Sequence, residues 1–275
     1  MRHAALSKAD IESEIASRFG QPFKLRPKAA PEVISTGIPA VDSLTGGLPR
    51  GAITEIFGPA SSGRTSVLLS ALAHATTHDE VCALIDTSNA FDPMSAAGAS
   101  VDLQRLLWIR CDANLEHAFK ATDLLLQGGG FGFVVLDIGD LPGPQARRII
   151  TSWWYRIRRV VENTSTAFVV IAEESCVRSA AELILKLDNE AAVWSSLVSA
   201  NVKKSGALSE SKIQIQDGAI QYCFGSSAIL AKPPAASHTS YLLQSTQVKA
   251  QQQRPVGFAS AEFQTQPQFG VFSPA

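Results

Sequence analysis

The chain carries almost no net charge: 24 Lys and Arg against 25 Asp and Glu leave −1 over 275 residues. That excludes a global electrostatic attraction to nucleic acid, so any such binding has to come from a local patch. Cysteine is scarce too. The four present, Cys82, Cys111, Cys176 and Cys223, show no CxxC spacing and sit among apolar neighbours. This argues against a zinc or disulfide framework and for buried, reduced thiols. No apolar run reaches membrane-spanning length and the first residues lack a signal-peptide core, so a cytoplasmic protein without a membrane partner is expected. Internal repeats are missing as well.

What is present is a core. Apolar residues make up 45% of the chain, enough for one α/β domain of about 200 residues. Continuous apolar runs at Ile53–Phe57, Val81–Asp86, Leu106–Arg110, Phe131–Asp137 and Ala167–Ala172 read as strands buried on both faces of a sheet. Helical patterns at about Arg64–Ala75 and Leu115–Gln127 alternate with them, and Asp92-Pro93 starts a further helix. Such alternation predicts a mostly parallel sheet covered on both faces. Leu183–Leu187 reads as one more strand, and Trp194–Lys203 with Ser211–Ile215 as a late antiparallel hairpin around Gly206. The expected organisation is an N-terminal helix (Ser7–Gly20) and linker over 1–31, a domain over 32–230, and a disordered tail over 231–275 rich in Pro, Gln, Ser and Ala. Ile11, Ile15 and Phe19 share one face of the first helix, which packs either on its own domain or on a neighbour.

The chemistry gathers around one stretch. Ile53–Phe57 leads into Gly58, Pro59, Ala60, Ser61, Ser62, Gly63, Arg64, Thr65 and Ser66, and then into a helix. This is the phosphate-cradling loop G-x-x-x-x-G-K-[ST], with Arg64 where the lysine belongs. The two glycines let successive N–H groups point inward, and the helix adds the positive end of its dipole. The Thr65 hydroxyl falls where a Mg²⁺ ligand is needed, and Asp137, ending an apolar strand, supplies a second. A guanidinium is not an equivalent point charge to an ammonium, which weakens the case for hydrolysis. The alternative is a glycine-rich strand-to-helix turn without a ligand.

One more pattern stands out. Leu141–Asn163 reads as a single amphipathic helix, with Ile149, Ile150, Trp153, Trp154, Ile157, Val160 and Val161 on one arc. Arg147, Arg148, Arg156, Arg158 and Arg159 lie on the other with Glu162 as the lone acid. That face is either solvated or a DNA- or partner-binding patch. Phe263, Phe269 and Phe272 mark a segment of the tail that is either unstructured or a docking peptide.

From Ala40 to Cys111 the chain resembles the RecA family of bacterial recombinases. The matching residues are Gly46–Gly51 (GGLPRG), Glu55–Gly63 (EIFGPASSG), Cys82–Asp86 (CALID), Ala90–Pro93 (AFDP) and Gly98–Leu103 (GASVDL). The resemblance continues more weakly to about Lys204. It implies that Gly58–Ser66 hold the phosphates of ATP, with Thr65 and Asp137 at Mg²⁺. The family's catalytic glutamate falls on Ser88, which cannot act as a base at neutral pH. Glu174 stands where the family uses a glutamine to sense the γ-phosphate, and Lys203 or Lys204 where basic residues reach a neighbour's nucleotide in a filament, one form a homo-oligomer would take.

The two loops with which RecA holds DNA are cut to about 138–144 and 175–182. The expectation is a divergent relative without recombinase chemistry. One such relative is ImuA, an accessory protein of damage-induced translesion synthesis in the SOS response. Its partners would be RecA or translesion polymerase subunits, and DNA through the basic helix. The competing functions are an active DNA-dependent ATPase of homologous recombination and a SulA-like interaction inhibitor that binds no nucleotide.

Overall fold

The computed structural model describes residues 13–14, 17–18, 32–141, 143–146, 148–196, 213–216, 219–223, 241–255 and 259–266. The chain divides into two compact units, Met1–Pro31 and Glu32–Ala275. In the first, residues 13–14 and 17–18 are helical, and Arg18 pairs with Glu14 at 3.1 Å across one turn. The apolar residues Ile11, Ile15 and Phe19 lie outside the described residues.

The second unit runs β1 (Val33–Ile34), α1 (Pro39–Thr45), β2 (Leu48–Pro49), β3 (Ala52–Phe57), α2 (Arg64–Thr77), β4 (Cys82–Asp86), α3 (Pro93–Gly98), β5 (Leu106–Arg110) and α4 (Leu115–Gly128). It continues with β6 (Phe133–Asp137), α5 (Gly143–Ala146), α6 (Thr151–Val161), β7 (Ala167–Ala172), β8 (Leu183–Ser196), β9 (Ile213–Gln216), β10 (Ala219–Cys223), β11 (Tyr241–Arg254) and β12 (Ser260–Thr265). The main sheet has the order β12-β11-β8-β3-β7-β6-β4-β5. From β8 through β5 neighbours are parallel, and β11 and β12 extend the sheet antiparallel. This is the α/β architecture expected.

Alternation along each strand sends its residues to two cores. Ile56, Leu84, Val135 and Val169 face α2, whose Val67, Leu68, Ala71 and Leu72 are buried against them. Ile53, Ile85, Leu136 and Phe168 face the other way, toward Phe119 of α4 and Trp154, Ile157 and Val161 of α6. Each such side chain removed from water contributes about 1.5–3 kcal/mol, so the strands that carry site residues at their ends are firmly held.

Three expectations need correction. The long helix over Leu141–Asn163 is two pieces, α5 and α6, with 148–150 outside both. Ile150 is extended, caps α6 and is 59% exposed, because the break shifts the helical phase that had placed it on the apolar arc. The tail is not wholly disordered, since β11 and β12 fall within it. Their Gln-rich composition hides an alternation: Val248 and Ala250 are buried on either side of half-buried Lys249, and Val248 pairs with buried Phe263. A polar strand forms there because β8 offers a long partner edge, matched from Tyr241↔Ser196 to Arg254↔Ile184. Lastly, the late antiparallel hairpin is present but with other bounds: β8 runs unbroken from Leu183 to Ser196, and β9 pairs with β10, which in turn pairs with β8. Lys203, Lys204, Gly206, Phe269 and Phe272 lie outside the described residues.

Candidate nucleotide site

The loop from Gly58 to Gly63 joins the central strand β3 to α2, and its glycines are required by what surrounds them. A Cβ on Gly58 would lie 2.2 Å from the Leu187 carbonyl oxygen and 2.6 Å from Ser62 Oγ. Gly63 has φ of 90°, and a Cβ there would come within 2.8 Å of Val248 Cγ2. Ser61, at φ 61°, adds a left-handed turn. The first intrahelical bond of α2 is Val67 N–H to Gly63 C=O, so the N–H groups of Arg64, Thr65 and Ser66 have no partner within the helix. Within the loop, Ser62 Oγ is buried without a hydrogen-bond partner. Tight backbone, free amides and an orphaned hydroxyl together suit a phosphate-sized anion.

Two cavities flank this loop. One, of about 260 Å³, is lined by Arg64, Thr65, Leu68, Phe91 and Asp137 among others. The second, of about 240 Å³, opens between the loop and the C-terminal strands at Thr246, Thr265 and Gln266. Arg64 and Thr65 line both. Asp137 lines the first, and Gly63 and Ser66 line the second, whose C-terminal wall the composition conceals.

Over residues 7–147 the chain matches the family model of the RecA N-terminal domain.

The chain belongs to the RecA family.

It is 41% identical over 133 residues to protein RecA of Rhizobium leguminosarum bv. trifolii, a match covering 42% of this chain and 36% of that protein. Protein RecA of Allorhizobium ampelinum is 40% identical over 133 residues with the same coverage. The chain thus spans 36% of the length of these curated relatives.

Arg64 stands where the loop motif has its lysine. It is only 8% exposed, and its Nη1 donates to the Gly139 carbonyl at 2.9 Å. A Cβ on Gly139 would lie 2.8 Å from Arg64 Nη1 and 3.0 Å from Asp137 Oδ1, so the guanidinium and the carboxylate converge on one point. Asp137 Oδ1 accepts the Gly139 N–H at 2.8 Å. Burial pushes the Asp137 carboxyl up to about 6, Asp140 and Asp86 add to the rise, and the Gly139 N–H and Arg64 oppose it.

A divalent ion does not fit this arrangement well. Thr65 is exposed, one Asp137 oxygen is already engaged, and Asp86 at the end of β4 has its oxygens fully committed. Among the described residues no group of three or more His, Cys, Asp or Glu gathers where a metal ion could sit.

Three features went unread in the sequence. Asp86 accepts the backbone N–H groups of Ser88, Ala90 and Phe91 and the Trp108 indole N–H, at 3.0–3.2 Å. Ser88 is thereby fixed on a loop folded over that carboxylate, and its hydroxyl faces Thr87 at 3.5 Å. Glu55, fully buried in β3, accepts Ser175 Oγ–H at 2.7 Å and the Cys176 and Val177 N–H groups at 2.5 and 2.8 Å. It pins the short segment after β7, next to exposed Glu174. A lone acid inside the apolar run Ile-Thr-Glu-Ile-Phe was the available signal. The C-terminal wall was the third.

The basic face is less continuous than its sequence. Arg147 lies outside the described residues, and Arg148 is exposed before α6 begins. Arg158 pairs with Glu162 at 2.6 Å and Arg156 with Asp123 at 3.6 Å. Arg159 is exposed. No helix among the described residues is long and apolar enough to cross a membrane.

Proposed function

We propose that this RecA-family chain is an ATP-binding accessory factor of bacterial DNA repair, of the ImuA type that supports translesion synthesis. It holds the nucleotide as a structural ligand and turns over little or none. The observation that carries this reading is the Arg64 guanidinium, buried and bonded to Gly139 where an outer-phosphate lysine is expected. Ser88 in the place of the catalytic glutamate removes the general base. Short connections after β6 and β7, the second tied down by Glu55, leave little chain for stretching DNA.

The partners that fit are RecA or a translesion polymerase subunit, with Arg148 and Arg159 as the basic groups open to DNA or protein. The experiment is ATP turnover by the purified chain with and without single-stranded DNA. No stimulation is expected. Clear stimulation would replace this reading with that of a working recombinase, and failure to bind a fluorescent ATP analogue would replace it with that of a nucleotide-free interaction protein.

A further inference from the structure

We propose that Arg64 takes the place of the divalent cation, so that this site binds a nucleoside polyphosphate without a metal ion. The inference rests on the nucleotide reading above and specifies the form in which the ligand is held. A metal at such a site neutralises phosphate charge and bridges phosphate oxygens to a strand-end carboxylate. A guanidinium supplies permanent charge and a planar fork of five N–H donors that matches phosphate oxygens two at a time.

Arg64 is placed for both tasks. It opens α2 directly after the amide nest, lines the cavities on both sides of the loop, and sits beside Asp137. The bond to Gly139 uses one donor of Nη1 and aligns the group without exhausting it. A Cβ on Gly139 would crowd the ends of the Arg64 and Asp137 side chains at once, so glycine leaves both groups in their present positions.

The remaining donors do not rebuild a metal site around it. Thr65 offers one exposed hydroxyl. Asp137 has one oxygen on the Gly139 N–H, Asp86 is enclosed by four N–H donors, and Asp140, though it lines the cleft, is exposed. Metal and guanidinium would compete for the same carboxylate.

The test titrates a fluorescent ATP analogue against the full chain in EDTA and in excess Mg²⁺. The two dissociation constants are expected to agree within about twofold. Arg64→Lys should lose about tenfold or more in EDTA and recover in Mg²⁺. Wild-type binding that appears only with Mg²⁺ would overturn the proposal and leave the nucleotide reading standing. Absence of binding in both buffers would remove both. The wild-type comparison needs no variant, so a poorly folding Arg64→Lys does not protect the idea.

Discussion

Asp86 and Asp137 end neighbouring parallel strands and sit opposite one another in register, yet their surroundings differ completely. The chain after β4 folds back over Asp86, through Asn89 at φ 58°, and aims three backbone N–H groups at it, with Trp108 adding a fourth donor. The chain after β6 leaves through Gly139 and gives Asp137 a single backbone N–H. The first carboxylate organises a loop. The second faces a cleft beside a guanidinium, with its ionised form held at a cost by burial. Side-by-side acids of one sheet thus divide into scaffold and poised group according to how many donors the following loop supplies.

The sharpest way to break this contrast is Asp86→Ala. It strands four N–H donors in a largely buried setting, so a loss of about 3–5 kcal/mol is expected in urea unfolding. A loss under about 1 kcal/mol would show that the loop holds itself. Asp137→Asn should act in the opposite direction. The folded carboxyl titrates at about 6, above the ordinary aspartate value near 4. Protonation therefore favours the folded chain, and wild-type stability falls as pH rises through that window. The variant should gain up to about 3 kcal/mol at pH 8 and nothing below about pH 4. A gain independent of pH would detach the effect from the carboxyl. Trp108→Phe is the finest probe. It removes one donor from Asp86 and should cost about 1 kcal/mol, measured by the same unfolding curves.

The sequence exposed the sheet core because Val-Val-Leu-Asp and Phe-Val-Val-Ile-Ala are apolar at every position, which only a strand covered on both faces tolerates. The loop from Gly58 was legible from glycine spacing alone. The destination of Arg64 was not, because it depends on Gly139, 75 positions away. β11 was hidden for a different reason: Gln and Lys dominate one face, and composition outweighed the alternation that buries Val248 and Ala250. The break before α6 escaped because the helical period resumes after it, with Trp154, Ile157 and Val161 buried as the pattern requires.

The contact between Gly63 and Val248 has a consequence for biosynthesis. The loop is translated early, but its back support arrives only when β11 has emerged from the ribosome and joined the sheet. A nascent or prematurely terminated chain would carry every residue of the loop and still lack the strand that backs it.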